Sequence, residues 1–215
     1  SSRSRSTRGA DLECSLTLDF EQAVFGSEQE IEMERTEVCS ICRGTRSEPG
    51  SQPRTCSNCE GMGQVRRNHQ SIFGQFSQVS TCGTCGGAGN VVDNPCKSCR
   101  GKGRTIRQRK MIVTVPAGVE TGTQIRLKNE GDVGSTGGLM GDLYVSINVN
   151  PHKLFQRNGN DVLLDVKVNF PQAALGASVA VPTIDGEIVI EISQGAQTGD
   201  VVRLKHKGIP KLGGG

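Results

Sequence analysis

The stretch Gly9–Gly26, GADLECSLTLDFEQAVFG, returns as Gly159–Gly176, GNDVLLDVKVNFPQAALG, and this repetition decides the fold. The copies share Gly, Asp, Phe, Gln, Ala and Gly at a constant offset of 150. Apolar residues fall at every second position: Leu12, Cys14, Leu16, Leu18 and Phe20 in one copy, Val162, Leu164, Val166, Val168 and Phe170 in the other. Period two is the mark of a half-buried strand. Asp19 with Gln22, and Asn169 with Gln172, have capping-box spacing. Each strand is therefore expected to run into a short helix, ended by Gly26 or Gly176 in a left-handed conformation.

A second block repeats as well: GVETGTQIRLKNEG over Gly118–Gly131 and GAQTGDVVRLKHKG over Gly195–Gly208, now at an offset of 77. The offsets differ by 73, so the first copy carries a large insertion between its blocks. Further strands are expected over 30–34, 110–115, 143–149 and 187–192. The predicted fold is mainly β, with two tandem β-sandwich-like domains, the first interrupted by an extended metal-binding module. Residues 1–8 read as a linker, 9–38 plus 105–152 as the first β-domain, 39–104 as the insertion, and 153–215 as the second β-domain. The strand signal GDLYVSINV (Gly141–Val149) that follows the first copy has no counterpart in the second, which is expected to be truncated at its C-terminal side.

The 25 Lys and Arg stand against 22 Asp and Glu, a net charge of +3 that demands neither nucleic acid nor an anionic membrane as partner. No apolar run approaches the roughly 20 residues that span a bilayer. With 29 Gly, one Tyr and no Trp, many turns and little aromatic packing are expected.

Eight of the nine cysteines fall in four pairs with two residues between: Cys39/Cys42, Cys56/Cys59, Cys82/Cys85 and Cys96/Cys99. Each pair is followed by glycine, as in CSICRGTR, CSNCEGMG, CGTCGGAG and CKSCRGKG. Two thiolates so spaced can share an ion only if the backbone turns sharply, and glycine permits the positive φ this needs. Eight thiolates make two closed four-cysteine sites, and hence two Zn2+ per chain in a structural role. Three pairings are open. Thirteen residues separate Cys42 from Cys56 and ten separate Cys85 from Cys96, which suggests matched antiparallel arms. The outer pairs, Cys39, Cys42, Cys96 and Cys99, would then hold one zinc near the β-domain, and Cys56, Cys59, Cys82 and Cys85 a distal one. Cys14, alternating with leucines, reads as a small buried hydrophobe. His69, His152 and His206 have no partner cysteine, carboxylate or serine in a recognisable arrangement, and no catalytic constellation stands out.

The four CxxCxGxG-type repeats, with VPAGV (Val115–Val119), GDLYV (Gly141–Val145) and NPHKLF (Asn150–Phe155), resemble the zinc-containing type A subgroup of the DnaJ family of co-chaperones over Gly9–Gly215. The resemblance implies a stress-response, heat-shock protein of the cytoplasm, or of the chloroplast stroma, that binds unfolded or misfolded polypeptide. It would deliver this client to a DnaK-type ATPase chaperone served by a nucleotide exchange factor, and would not itself be an enzyme. It also implies that Leu12, Ile31, Met33, Met111 and Val145 line the peptide-binding pocket, where a client strand can pair with a sheet edge and drop alternate side chains into an apolar groove. Two departures stand out. Arg46 takes the place of a glycine in the first repeat, and no HisProAsp triplet, the mark of the J domain, occurs in the chain. The full-length protein is expected to be a homodimer, and this stretch, lacking the dimerisation segment, a monomer.

Two other readings compete. A thiol-disulfide oxidoreductase would use the CxxC pairs as exposed low-pKa thiolates, which zinc would mask. An RNA-binding zinc module is suggested by Arg66, Arg67, Arg104, Arg107, Arg109 and Lys110, with Phe73 and Phe76 the only aromatics nearby.

Overall fold

The structure is a computed structural model that describes residues 8–71, 74–135 and 138–212, with the side chains of 67–71 and 74–76 outside the description. His69, Arg67, Phe73 and Phe76 therefore lie beyond the described side chains. In chain order the elements are β1 (Leu12–Leu18), α1 (Phe20–Phe25), β2 (Ser27–Val38), β3 (Arg54–Thr55), β4 (Gln64–Ser71), β5 (Gly74–Thr81) and β6 (Asn90–Val91). There follow β7 (Arg104–Val115), β8 (Gln124–Leu127), β9 (Leu143–Val149), β10 (Phe155–Asn158), β11 (Asp161–Leu164), α2 (Phe170–Leu175), β12 (Ala177–Thr183) and β13 (Gly186–Ile192). The protein is mainly β, and the two described helices are single short segments. Strands pair as β1-β9-β8, β2-β7, β3-β6, β4-β5, β10-β11 and β12-β13. Among the described residues no helix is long and apolar enough to cross a membrane.

Both repeats fold alike at the backbone. Gly118 N–H donates to the Ala23 carbonyl and Gly195 N–H to that of Ala173, each at 2.9 Å. Asp132 N–H bonds to the Ala10 carbonyl at 3.0 Å, and its counterpart Ile209 N–H to that of Asn160 at 2.8 Å. The capping boxes form as expected: Asp19 N–H and Asn169 N–H donate to Gln22 Oε1 and Gln172 Oε1, each at 2.9 Å. Gly26 ends its helix at φ 77°, but with ψ 159° the chain turns directly into β2 rather than through a left-handed helical residue. A Cβ there would lie 2.8 Å from the Val115 carbonyl oxygen, so glycine is required twice over.

The chain separates into two compact units. The first comprises the segment ending at Cys14, Glu32–Lys110 and Arg126–Tyr144. Its polar centre is Asp142, buried, whose carboxylate accepts from Arg126 Nε at 2.8 Å, Arg8 Nη2 at 2.7 Å and Asn129 N–H at 2.9 Å. Glu37 accepts from Arg35 and, through both oxygens, from Arg109, while Arg35 also pairs with Glu130.

The second unit comprises Ser15–Ile31, Met111–Ile125 and the chain from Val145 onward. Phe20, Val24, Phe155 and Ile209 form a buried cluster, with Val162, Leu164 and Ile184 against it. His152 is stacked on Phe155, ring centroids 4.7 Å apart, and beside Phe20. The sequence offered this histidine no carboxylate, yet Glu21 lies 3.2 Å from its Nε2. Its Nδ1 accepts from Leu154 N–H and Phe155 N–H, so the ring closes a turn.

The second repeat departs from expectation in one respect. Alternation predicts a strand through Val168, but pairing stops at Leu164, and residues 201–204, the counterpart of β8, are not a strand. In the first repeat both segments flank β9. Among the described residues no strand takes that central place in the second, so neither segment has a ladder to join.

Candidate functional site

The cysteines converge in two groups. Cys39, Cys42, Cys96 and Cys99 lie with their sulfurs within 4.8 Å of one another, and so do Cys56, Cys59, Cys82 and Cys85. None of the eight is paired in a disulfide, and only Cys85 among them is partly exposed. The sulfurs stand 3.6 Å apart in Cys42–Cys99, 3.8 Å in Cys56–Cys82 and 3.6 Å in Cys59–Cys85. Four sulfurs at about 2.3 Å from a central ion sit about 3.8 Å apart along each tetrahedral edge. Each group could thus hold a metal ion, and closed fourfold coordination would leave no position for a substrate.

The backbone explains why these pairs meet. Cys39 N–H donates to the Gly103 carbonyl and Cys96 N–H to that of Arg46, at 3.0 and 2.8 Å. In the other group Cys56 N–H reaches the Gly89 carbonyl and Cys82 N–H that of Gly63, both at 2.9 Å. In every case the first cysteine of a knuckle bonds to the seventh residue beyond the first cysteine of its partner, so the knuckles face each other about a local twofold. The pairs Arg54↔Val91 and Thr55↔Asn90 of β3-β6 bridge the two groups, and the β4-β5 hairpin closes the far end.

Glycine amides then address the sulfurs: Gly63 to Cys59, Gly89 to Cys85 and Gly103 to Cys99, at 3.2, 3.3 and 3.2 Å. Donation from the Cys42 amide draws the Cys39 thiol down to about 6, and that from the Cys85 amide does the same for Cys82. Burial pushes Cys59 and Cys99 up to about 11. A divalent ion, if held there, would supply the charge that lets all four ionise together. Cys14 is half-buried on β1 and burial raises its thiol.

Arg46, at the glycine position of the first knuckle, keeps the same backbone with φ 70°. A Cβ on Gly63 or Gly89 would lie 2.4 Å from the Gly87 or Gly61 oxygen, whereas at Gly103 the nearest carbonyl oxygen, that of Gly44, is 3.1 Å away. The knuckles of this group stand further apart, which makes room for a side chain.

Of the residues assigned to peptide binding, Leu12 lies on β1 and Val145 on β9, in one sheet; Ile31 and Met33 lie on β2 and Met111 on β7, in another. Leu12, Ile31, Met33 and Met111 are half-buried, but Val145 has no exposed surface. Of the cations that suggested RNA, Arg109 is engaged by Glu37 and Arg107 donates to Ser40 Oγ at 2.9 Å.

Fold and site together define a class, a duplicated β protein with a module of two four-cysteine groups, each able to hold a metal ion, spliced into its first repeat. The family model for the DnaJ C-terminal domain matches residues 12–215, and the chain belongs to that family. It is 47% identical over 212 residues to a Chaperone protein DnaJ of Acetivibrio thermocellus, an alignment covering 99% of this chain and 55% of that protein. Chaperone protein DnaJ of Thermosynechococcus vestitus is 47% identical over 96% of this chain and 56% of its own length; that of Clostridium beijerinckii is 47% identical over 98% and 56%. The chain thus spans about half the length of the curated relatives it matches.

Proposed function

We propose that the chain is the client-holding part of a cytoplasmic co-chaperone. It binds extended apolar segments of unfolded or misfolded polypeptide, prevents their aggregation and passes them to a DnaK-type ATPase chaperone, without catalysing a reaction of its own. The observation that carries this reading is the 47% identity, along nearly the whole chain, to proteins named Chaperone protein DnaJ. Residues 9–38 with 105–152 would receive the client at Leu12, Ile31, Met33, Met111 and Val145. An open sheet edge beside a half-buried apolar face suits an added strand, and two methionines suit varied side chains. Residues 153–215 would form the second β-domain, and the full-length protein a homodimer.

Residues 39–104 would hold two zinc ions, one on Cys39, Cys42, Cys96 and Cys99, the other on Cys56, Cys59, Cys82 and Cys85. Four thiolates with no open position fit zinc in a structural role. In this role zinc would hold the arm that assists client transfer.

The test is suppression of aggregation of a chemically denatured reporter protein, with metal content measured on the same sample. The expected outcome is suppression at near-stoichiometric ratios. Aggregation unchanged by an excess of the metal-loaded chain would sink the client reading.

A further inference from the structure

The two four-cysteine groups are alike in backbone and opposite in charge. The knuckles of the first, 39–48 and 96–104, carry Arg43, Arg46, Lys97, Arg100, Lys102 and Arg104 against a single carboxylate, Glu48. Those of the second, 56–64 and 82–90, carry no cation and one acid, Glu60. Among the described residues none of the six cations stands in an ion pair, and Glu48 instead accepts from Lys97 N–H at 2.9 Å. Three of them, Arg46, Lys102 and Arg104, line one recess, with Val38 and Val133 contributing apolar surface and Val38 42% exposed.

Four thiolates on a divalent ion leave two negative charges, and cations nearby could serve merely to offset them. The second group answers this, since its four cysteines converge alike with an acid and no cation within their knuckles. Even complete compensation at the first group leaves an excess of about three positive charges. Three cationic residues about one recess make a local excess of positive charge that an anion would offset.

We propose that the surface around this recess docks an acidic segment of a partner polypeptide, its carboxylates on Arg46, Lys102 and Arg104 and an apolar side chain against the exposed Val38. A nucleic acid fits less well, because among the described residues no aromatic side chain lines the recess to stack a base, whereas three cationic residues beside the partly exposed Val38 match a segment that alternates acidic and apolar residues. The site is separate from the client groove and does not depend on it.

The test uses the metal-loaded chain and a short fluorescent peptide alternating Glu and Leu, with a Gln-for-Glu peptide as control, followed by anisotropy. The acidic peptide should bind, and its affinity should fall steeply as salt rises from about 0.05 to 0.5 M. Arg46→Gln with Lys102→Gln and Arg104→Gln should weaken it at least about tenfold at unchanged metal content, by the loss of three charge-assisted contacts. Arg104→Gln alone, outside the ligand turns, covers the case in which the triple variant loses its ion, and should weaken binding measurably. Arg203→Gln with Lys205→Gln, in the second repeat, should leave it unchanged. Equal binding of the neutral peptide, or an affinity untouched by Arg104→Gln, would overturn the proposal. A single-stranded oligonucleotide that displaces the peptide and loses the same factor on substitution would reassign the site to nucleic acid.

Discussion

The Cβ that Gly103 lacks would lie 3.1 Å from Cγ of Arg46. At the equivalent positions of the other centre, Gly63 and Gly89 would each place a Cβ 2.4 Å from a backbone oxygen. Backbone cannot swing away as a flexible side chain can, and both glycines also have positive φ. Gly63→Ala and Gly89→Ala should therefore each release the ion of the Cys56, Cys59, Cys82 and Cys85 centre, while Arg46→Gly should leave both centres loaded. Metal analysis after exhaustive dialysis distinguishes them; full metal content in Gly89→Ala would show that the knuckles can separate.

Replacing Cys82 and Cys85 with serine should lower the metal content from two ions per chain to one, since the remaining ligands of that centre fall below the four a closed site needs. The other centre, with its own four sulfurs and its own pair of amide bonds to Gly103 and Arg46, should stay loaded. A variant that keeps both ions would refute the grouping of the ligands.

The residues proposed for client binding divide into two kinds. Ile31→Ser with Met33→Ser, both half-buried, should weaken binding of an extended apolar peptide at least about tenfold, or about 1.4 kcal/mol, with little change in thermal unfolding. Val145→Ala removes fully buried volume and should act on stability first, by about 1 to 3 kcal/mol. Peptide affinity unchanged in a folded Ile31→Ser, Met33→Ser protein would rule out those residues as the client site.

Asp142 sets an acid limit. Donation from Asn129 N–H foremost, then the guanidinium groups of Arg126 and Arg8, hold its carboxyl at about 2, against an ordinary value of 3.8. A carboxyl lowered in the folded state stabilises the fold at pH above its ordinary value, and this contribution fades as pH falls from about 4 towards 2. Other acids titrate in the same range, so the measurement is the difference between the parent and Asp142→Asn in denaturation midpoint. That difference should be constant above pH 4 and shrink below it; a gap independent of pH would mean that the charge of Asp142 contributes nothing.

Much of this was legible because local chemistry and tertiary need agree. Alternation in Leu12–Leu18, the boxes at Asp19 and Asn169 and the glycine after each helix all name their own conformations. The β4-β5 hairpin was not, since its polar QVRRNHQS and GQFSQVST carry no apolar face for a pattern to report. Nor was the early end of pairing at Leu164, which depends on a neighbouring strand and not on the residues themselves. His152 looked idle because its partner Glu21 is remote in sequence. Arg46 read as a flaw in a glycine motif; the wider spacing of its knuckles makes it a tolerated residue. The charge contrast between the two centres was present in the sequence, but it gained meaning only once Arg46, Lys102 and Arg104 met at one recess.

The nesting of the centres also imposes an order of assembly. With nothing bound, joining Cys42 to Cys96 closes a loop of more than fifty residues; once Cys56, Cys59, Cys82 and Cys85 are gathered, only the two connecting arms, 43–55 and 86–95, must be fixed. Halving a loop lowers its closure cost by about 0.6 kcal/mol, which is roughly a threefold gain in affinity at 25 °C. Loading of the inner centre thus primes the outer one, and a stepwise metal titration should run from the tip of the arm towards its root, like a zip drawn closed.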